Sequence, residues 1–247
     1  MKVLATYNIK GGVGKTATAV NLAYLAAAAG ARVLVWDLDP QGAATFYFRI
    51  KPRVKGGGKA LVRGRRDLDE VVKGTDYDNL DLVPADFSYR NLDLVLDAAP
   101  KPTRRLARVL EPVAAEYDYV ILDCPPSISL ASESVFEAAD ALLVPLIPTT
   151  LSMRTFDQLD DFLTRTRWRR PPAVLAFFSM VDARKRLHRE LMAELRAART
   201  DLLDTEIPSA SDVERMGLHR APVPAVAPRS RSAAAYRALW DEVRARL

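Results

Sequence analysis

A glycine-rich loop with two lysines limits what this chain can fold into. The loop, Lys10-Gly11-Gly12-Val13-Gly14-Lys15-Thr16, stands between an apolar run, Val3 to Tyr7, and an alanine-rich helical pattern that starts at Thr16. A turn of this kind between a strand and a helix leaves backbone N–H groups free to point at an anion, and the positive end of the helix adds to their field. The loop therefore predicts a phosphate site near the start of an α/β fold.

The spacing inside the loop differs from the common phosphate-binding rule. That rule reads G-x-x-x-x-G-K-[ST], but Ile9 occupies the position of the first glycine and a second lysine, Lys10, follows it. Lys15 is predicted to neutralise the β and γ phosphates, and Thr16 to give its hydroxyl to Mg²⁺. Lys10 lies on the rim of the loop, where it needs another anion or a neighbour's nucleotide. The predicted nucleotide-binding residues here are Gly11, Gly12, Val13, Gly14, Lys15, Thr16 and Ala17.

Two further segments place carboxylates directly after apolar runs. Asp37 and Asp39 follow the run 32–36, and Asp123 follows the run 118–122. Four apolar residues and then an acid form the pattern of a Walker B strand, so Asp123 is predicted to bind Mg²⁺ through water or to hydrogen-bond Thr16. Phosphoryl transfer needs the triphosphate charge neutralised, Mg²⁺ held and a water placed in line with the γ-phosphate. The chain has a candidate for each task.

Together these motifs resemble those of the ParA/Soj/MinD family of deviant Walker A ATPases, over nearly the full chain. The resemblance implies that Lys10 reaches across a dimer interface to the partner's nucleotide and acts in catalysis with Lys15. The segment from Asp37 to Gln41 resembles the family's D-x-D-P-Q box. It implies that Asp39 orients the attacking water and that Asp37 supports the metal's water shell. Carboxylates are weak bases towards water, so we expect positioning rather than proton abstraction, and a slow enzyme.

The resemblance also implies cofactors and partners. ATP and Mg²⁺ are the cofactors, and ATP held between two copies makes a homodimer that hydrolysis releases. Such dimers bind the DNA of the nucleoid without sequence preference, and a ParB-like protein or another cargo adaptor stimulates hydrolysis and detaches them. Pro208 and Asp212 are candidate adenine contacts, because Ile207-Pro208 resembles the loop that covers adenine. The likeness is to small Soj-type members without an N-terminal helix-turn-helix segment, so sequence-specific repression is not expected.

Clusters of basic residues favour a polyanionic partner. The formal net charge is +5, eight basic residues and no acid lie within the eighteen residues 49–66, and residues 165–199 hold ten basic residues against three acids. Basic side chains on phosphates give salt-dependent binding without sequence preference. A solvated charged face is the alternative, and the loop 49–66 is a second candidate site. The predicted DNA-binding residues are Arg165, Arg167, Arg169, Arg170, Arg184, Lys185, Arg186 and Arg189.

Apolar runs that alternate with helical patterns predict the fold. They favour an α/β, doubly wound, mostly parallel sheet with helices on both faces, a P-loop NTPase of the deviant Walker A type in one domain, 1–247. Ligands of such sheets bind at the carboxyl ends of the strands, and every motif above falls at such an end. The predicted strands are 2–7, 32–36, 80–83, 118–122, 141–145 and 173–178.

Three other segments carry expectations. Residues 51–66 are expected to form an exposed, mobile loop. Pro222, Pro224 and Pro228 are expected to make a rigid, extended connection. A last helix over 230–247 is expected to dock on the sheet, and a membrane-binding tail is the alternative. Its predicted apolar stripe is Ala234, Leu239, Trp240, Val243 and Leu247.

The single cysteine, Cys124, excludes an internal disulfide and a cysteine-ligated metal within one chain, and it is predicted to be a buried small hydrophobe. No signal peptide or membrane-spanning run is visible, so we expect a cytoplasmic, nucleoid-associated ATPase without a membrane partner. The predicted function is to partition or position a cargo, which is a chromosome, a plasmid or a protein assembly. The alternatives are a MinD-like membrane-associated positioning ATPase and a dethiobiotin-synthase-like ATP-dependent ligase.

Overall fold

The computed structural model describes residues 1–247 and contains one sheet of eight strands. The order across the sheet is β3-β4-β2-β5-β1-β6-β7-β8, and every neighbouring pair is parallel except β3 with β4. The strands are β1 (Lys2–Thr6), β2 (Val33–Asp37), β3 (Lys73–Gly74), β4 (Leu80–Val83), β5 (Tyr119–Asp123), β6 (Ala141–Leu146), β7 (Ala173–Val181) and β8 (Glu206–Pro208).

Twelve α-helices connect the strands, and three short 3₁₀ turns lie at 87–91, 102–104 and 111–113. The helices are α1 (Lys15–Ala28), α2 (Ala43–Tyr47), α3 (Gly58–Val62), α4 (Leu92–Asp97), α5 (Arg105–Leu110), α6 (Leu130–Ala138), α7 (Thr150–Arg165), α8 (Arg186–Ala198), α9 (Ser211–Glu214), α10 (Met216–His219), α11 (Val223–Val226) and α12 (Arg231–Ala245).

The predicted doubly wound sheet is confirmed, and all six predicted strands are present. Two short strands at the sheet edges were not predicted. β3 has two exposed residues, and β8 has three, of which only Ile207 is buried. Such segments carry little apolar signal of their own, so only their pairing partners make them strands. β7 also continues past its predicted end, through an irregularity beside Met180, to Val181.

The core has one layer on each face of the sheet. On one face, α1 and α12 pack over β1, β2 and β6, and the alanines of α1 let this helix approach closely. On the other face, α3 to α7 cover the same strands around Tyr7, Trp36 and Phe136. Parallel strands are buried on both sides, which is why these strands read as continuous apolar runs.

The segment 51–66 is packed on the core, which corrects the expectation of an exposed, mobile loop. It contains α3, and Val54, Leu61 and Val62 are buried. The Val54 amide also donates to a carboxylate oxygen of Asp86 at 3.0 Å. The segment is mostly polar and rich in glycine, so its three buried apolar residues were not recognised as an anchor. Most of its basic side chains remain exposed.

The connection to the last helix also differs from its prediction. Residues 223–226 form α11 instead of an extended strap, with Pro224 buried. Proline fits the first turn of a helix, because a backbone N–H at that position would have no partner within the helix and nothing is lost without it. The Val223 amide instead donates to the buried Asn21 side chain at 2.8 Å, which ties α11 to α1.

The last helix docks on the sheet as predicted. Leu239, Trp240 and Val243 are buried, and Trp240 meets Tyr119 edge to face at 5.1 Å. Ala234 is exposed, which corrects its place in the apolar stripe, and Tyr236 is the buried residue instead. No helix of the structure has the length and apolar character needed to cross a membrane.

Replacing Leu239 tests whether α12 is part of the core. Leu239 is fully buried, so Leu239→Ala is expected to lower the free energy of unfolding by about 2–5 kcal/mol, through lost apolar contact and a cavity. Chemical denaturation measures this change. The exposed Arg244→Ala serves as the control and should change the free energy by less than about 0.5 kcal/mol. A Leu239→Ala protein as stable as the control would contradict the docking of this helix.

Candidate nucleotide and magnesium site

The glycine-rich loop leaves β1 at its carboxyl end and enters α1 at Lys15. Gly12 and Gly14 have φ angles of +72° and +100°, in the region that favours glycine. A Cβ on Gly14 would lie 2.9 Å from Ser179 Oγ, so the backbone there meets β7 at close range. The loop is therefore fixed by its glycines in the strand-to-helix turn that an anion site requires.

Lys15 is buried at the base of this loop. Only 7% of the residue is exposed, and its Nζ donates to the carbonyl of Lys10 at 3.1 Å. Burial lowers the pKa of the ammonium, and the charges of Asp123 and Asp39 oppose that shift. The cation therefore lies between the loop carbonyl and the two predicted acidic residues.

Asn8 anchors the loop, and the sequence prediction did not include it. Its side-chain amide donates to the Pro145 carbonyl at 2.9 Å, and its Oδ1 accepts from the Lys10 amide at 2.8 Å. Asn8 is 2% exposed, so both bonds are shielded from water. It thereby fixes the backbone of Lys10 relative to the end of β6. The sequence signal that could have identified Asn8 is its place as a polar residue between a buried strand and the glycine-rich loop.

Asp37 and Asp123 lie side by side at the ends of β2 and β5, where they are direct partners in the strand register. Both are fully buried. Burial, and then the neighbouring Asp37 carboxylate, raise the pKa of Asp123, and the nearby hydroxyl groups of Thr16 and Thr6 oppose this shift. Burial likewise raises the pKa of Asp37. Two adjacent buried carboxylates repel each other, so a nearby cation or a bound proton stabilises the pair.

The chemistry of this pair fits Mg²⁺. Asp123 Oδ1 accepts from the Thr6 hydroxyl at 3.2 Å, but its Oδ2 is buried with no hydrogen-bond partner. Thr16 stands beside it at the start of α1. No group of three or more His, Cys, Asp or Glu side chains converges anywhere in the chain. A magnesium ion at Thr16 and Asp123 would thus complete its shell with phosphate oxygens and water, as hard cations do in phosphate sites.

Asp37 has structural contacts that its predicted role did not include. Its Oδ2 accepts from the Thr45 amide at 2.8 Å and from the Thr45 hydroxyl at 2.7 Å. Its Oδ1 accepts from the Asp39 amide at 3.2 Å. Asp37 therefore holds α2 and the backbone of Asp39 in place. Its support of the metal's water shell stays a prediction.

Eight of the predicted residues meet at one cavity of about 360 Å³ at the carboxyl edge of the sheet, whereas Lys10, Asp37 and Asp123 do not line it. Val13 lies in the buried core behind the loop and does not face the cavity. Asp212 does not line it either, and its Oδ1 accepts from Ser232 Oγ at 2.7 Å, so its role as an adenine contact stays a prediction. The predicted residues that line the cavity are Gly11, Gly12, Gly14, Lys15, Thr16, Ala17, Asp39 and Pro208.

Several cavity residues were not predicted. Ser179 and Met180 come from the end of β7, where Met180 has a φ of +56° and breaks the regular pairing with β8. Their only sequence signal was their place after a strand. The other unpredicted residues that line the cavity are Ala43, Tyr47, Pro126, Ile207, Ser209, Ala210, Val213, Glu214 and Tyr236. Cys124 is buried, as predicted, and does not line this cavity.

The eight predicted DNA-binding residues do not form one surface. Arg165, Arg167, Arg169 and Arg170 precede β7, whereas Arg184, Lys185, Arg186 and Arg189 follow it. A strand of nine residues spans roughly 30 Å at about 3.3 Å per residue, so the two groups lie at opposite edges of the sheet. Four of the eight are also ion-paired, with Asp161, Asp140, Asp182 and Glu190.

Comparisons with known proteins agree with this geometry. A family model described as an AAA domain matches residues 1–171. The sporulation initiation inhibitor protein Soj of Bacillus subtilis is 32% identical over 249 residues, which cover 99% of this chain and 98% of that protein. The chromosome partitioning protein ParA of Myxococcus xanthus is 33% identical over 199 residues, covering 79% of this chain and 70% of that protein.

Two solved structures are similar over nearly the whole chain. Cobyrinic acid a,c-diamide synthase from Mycobacterium smegmatis, solved with bound ADP and magnesium, has a TM-score of 0.82 and 26% identity, and covers 98% of this chain and 93% of its own. A plasmid partition protein of Borrelia burgdorferi bound to AMPPNP has a TM-score of 0.86 and 20% identity, and covers 100% of this chain and 99% of its own.

The fold and the site thus define a P-loop ATPase with ATP and Mg²⁺ as its cofactors. The chain belongs to the ParA/Soj/MinD family of deviant Walker A ATPases, as its sequence relatives and its eight-stranded fold show.

The buried carboxylates predict how the nucleotide-free protein responds to pH. A carboxyl group whose pKa is raised by folding binds its proton more tightly in the folded state, so the free energy of unfolding falls as pH rises above about 4. We expect the midpoint of thermal unfolding to fall between pH 5 and pH 8, and Asp123→Asn to reduce this fall. Differential scanning calorimetry without nucleotide measures both. The exposed Asp78→Asn is the control, and an equal pH dependence in both variants would contradict the prediction.

Proposed function

We propose that this protein is a nucleotide-dependent dimerisation switch, in which two copies hold ATP between them and hydrolysis separates them. The observation that carries the proposal is the pair of lysines in one loop. Lys15 is buried and lines the cavity, whereas Lys10 is only half-buried and does not line it. One buried lysine suffices for the phosphates of the chain's own nucleotide. Lys10 therefore serves the nucleotide of the second copy.

Exposed apolar side chains at the carboxyl edge of the sheet support a dimer. Ile128, Leu151 and Leu187 are about half exposed and follow the ends of β5, β6 and β7. β5 and β6 flank β1, which leads to Lys10, and β7 pairs with β6, so the four side chains share the carboxyl edge of the sheet. Burial of exposed apolar side chains stabilises a protein interface, and isolated ones are common on any surface. They lie at the edge of the sheet that also holds the nucleotide cavity, which is where a dimer that depends on ATP would form.

The residues of the site divide the work of hydrolysis. Thr16 and Asp123 would hold Mg²⁺, which when bound would supply positive charge against the phosphates. Lys15 neutralises charge on the β and γ phosphates, and the partner's copy of Lys10 adds a second cation. Asp39, on the backbone that Asp37 holds, orients the attacking water. No strong base faces this water, so turnover is slow until a partner completes the site.

The ATP-bound dimer binds DNA without sequence preference and positions a cargo along it. Relatives named Soj and ParA support this part of the proposal. The net charge of +5 favours a polyanionic partner. We place one such domain over residues 1–247, on the nucleoid in the cytoplasm. A ParB-like protein or another cargo adaptor stimulates hydrolysis and so releases the dimer.

An ATP-dependent ligase is the second candidate, because the similar diamide synthase structure shares 26% of its residues with this chain. Such an enzyme would use ATP to activate a small carboxylate and would turn over ATP only with its substrate. The identity to Soj is higher, at 32% over 99% of this chain. A membrane-bound switch has less support, since the large apolar residues of α12 are buried in the core.

Light scattering on a size-exclusion column tests the switch. Asp39→Ala, which binds ATP but cannot position the water, is expected to be a dimer with ATP and Mg²⁺ and a monomer with ADP. Adding Lys10→Ala should leave a monomer that still binds ATP, because the cation that crosses the interface is lost. Lys73→Ala, an exposed lysine on β3, is the control and should dimerise. A monomeric Asp39→Ala protein in both nucleotides would refute the proposal.

DNA binding by the same Asp39→Ala protein tests the second part of the proposal, that the ATP-bound dimer binds DNA. With ATP, two linked binding surfaces are expected to raise the apparent affinity for a random duplex by about 10²–10⁴ over the ADP form. Mobility shifts at rising salt should show affinity falling steeply, because bound phosphates release their counterions. Equal affinity in ATP and ADP, or no binding at low salt, would contradict DNA as the track.

A further inference from the structure

A second cavity lies at the carboxyl edge of the sheet, on the face covered by α3 to α7. It has a volume of about 230 Å³ and lies between the loops that follow β2 and β5 and the beginnings of α4 and α6. We propose that this cavity is a regulatory site that binds a small aromatic carboxylate and thereby slows ATP hydrolysis. The inference rests on the proposed function, because it uses the role given there to Asp39. The lining of this effector cavity includes Leu38, Pro40, Arg90, Pro125 and Ser129.

The effector cavity and the nucleotide cavity share two loops as a common wall. Asp39 lines the nucleotide cavity, while its neighbours Leu38 and Pro40 line the effector cavity. In the loop after β5, Pro126 lines the nucleotide cavity and Pro125 lines the effector cavity. Consecutive Cα atoms are only about 3.8 Å apart, so one layer of backbone separates the two cavities. A molecule in the effector cavity therefore contacts both neighbours of Asp39.

The Asp39 carboxylate is turned onto its own loop in this structure. Its Oδ1 accepts from the Gln41 amide at 2.9 Å, and the Asp39 amide donates to Asp37 Oδ1 at 3.2 Å. Orienting a water at the γ-phosphate with this oxygen requires that the bond to Gln41 breaks and that the loop moves. A ligand packed against Leu38 and Pro40 stabilises the present conformation of the loop. It therefore opposes hydrolysis by shifting the population of loop conformations.

The charged residues of the effector cavity favour an anionic ligand. Arg90 lies over the Phe87 ring, at 4.0 Å from its centroid, and has no carboxylate within 4.0 Å. Asp93 is the acidic residue of the lining, and its Oδ1 already accepts from the Ala131 amide at 2.8 Å. The cation of the lining is thus unpaired, whereas the anion is engaged with the protein.

Two hydroxyl groups of the lining lack an acceptor for their hydrogen. Ser129 Oγ is buried and has no hydrogen-bond partner. Tyr89 is only 4% exposed, and its hydroxyl accepts from Trp36 Nε1 at 3.1 Å but makes no other hydrogen bond. A buried donor without a partner lowers stability, so an acceptor that enters the cavity stabilises it. Ionised carboxylates accept hydrogen bonds and donate none, which fits these groups and Arg90 together.

The rest of the lining favours a small aromatic body. Leu92, Val135 and the ring of Tyr7 supply apolar surface, and aromatic rings pack favourably against one another. Pockets for drug-sized ligands commonly hold about 300–1,000 Å³, so the effector cavity suits a smaller molecule. A single ring with a short chain and one carboxylate meets these requirements.

Binding of phenylacetate to the nucleotide-free protein tests the ligand class, with neutral phenylacetamide as the comparison. An NMR titration measures both dissociation constants. We expect the carboxylate to bind at least about threefold more tightly than the amide, because a charged hydrogen bond to Arg90 is gained at a partly exposed site. Arg90→Gln should remove this preference. Arg63→Gln, which changes an exposed arginine outside the cavity, is the matched control and should keep it.

Steady-state ATP hydrolysis tests the regulation. Saturating phenylacetate is expected to lower kcat about tenfold, which requires tenfold tighter binding to the present loop conformation than to the hydrolysing one. The KM for ATP should stay unchanged, because no residue of the glycine-rich loop lines the effector cavity. Phenylacetamide at the same concentration should inhibit less.

Filling the cavity with a side chain tests the same coupling without a ligand. Ala131 is buried on α6 and lines the effector cavity, so Ala131→Leu is expected to lower kcat and to abolish binding of phenylacetate. Ala193→Leu, at an exposed position of α8, is the matched control and should hydrolyse ATP like its parent. Melting temperatures show whether each variant is folded, and the Arg90→Gln titration does not depend on Ala131→Leu.

The other outcomes overturn the inference, each at a different step. Equal binding of carboxylate and amide, or no binding of either, refutes the ligand class. Binding with an unchanged kcat refutes the regulation. If Ala131→Leu changes only the stimulation by a partner protein, the cavity receives a side chain of that partner instead. The proposed function fails separately, if Asp39→Ala hydrolyses ATP as fast as its parent, and binding of phenylacetate to the cavity is then still measurable.

Discussion

The parallel pairing of β1 with β5 decides where the functional groups of this protein lie. In that register Thr6 stands opposite Asp123, so the loop that follows β1 begins beside the Walker B carboxylate. The next pairing puts Asp37 opposite the other side of Asp123. Three motifs distant in sequence thus meet because three neighbouring strands end at the same level. The sheet converts strand register into the geometry of a phosphate site.

The same register concentrates negative charge where water is excluded. Asp37 and Asp123 are buried as neighbours, and the protein offers them Thr45, Thr6 and Lys15 as partners. Asp123 Oδ2 is left without one. An unpaired buried carboxylate oxygen lowers stability unless a cation or a proton reaches it. A bound cation therefore stabilises this site more than it would stabilise a site built from neutral groups.

The centre of the site could be predicted because its residues belong to contiguous motifs. The residues that form the walls of the cavity could not. Lys15 and Thr16 belong to one loop whose spacing carries the chemistry, and Asp123 ends a long apolar strand. Ser179 enters the cavity only because β7 continues to an irregular end. Asp212 shows the same limit, since its nearness to Pro208 in sequence does not reveal that its carboxylate accepts a hydrogen bond from Ser232. Tertiary contacts decide such positions, and no local pattern records them.

Charge is the property that sequence order represents least well. The dense basic run at 49–66 and the arginines at 165–170 look like separate patches along the chain, while α5 carries few signals of its own. In the fold, Arg108 of α5 lines one cavity with Arg66 and a second cavity with Arg169 and Arg170. The acids that pair with Arg184 and Arg186 are likewise evident only from the structure. Charge that looks free along the chain is therefore partly neutralised in the fold, and two linked sites gain affinity only where both can reach the same polyanion.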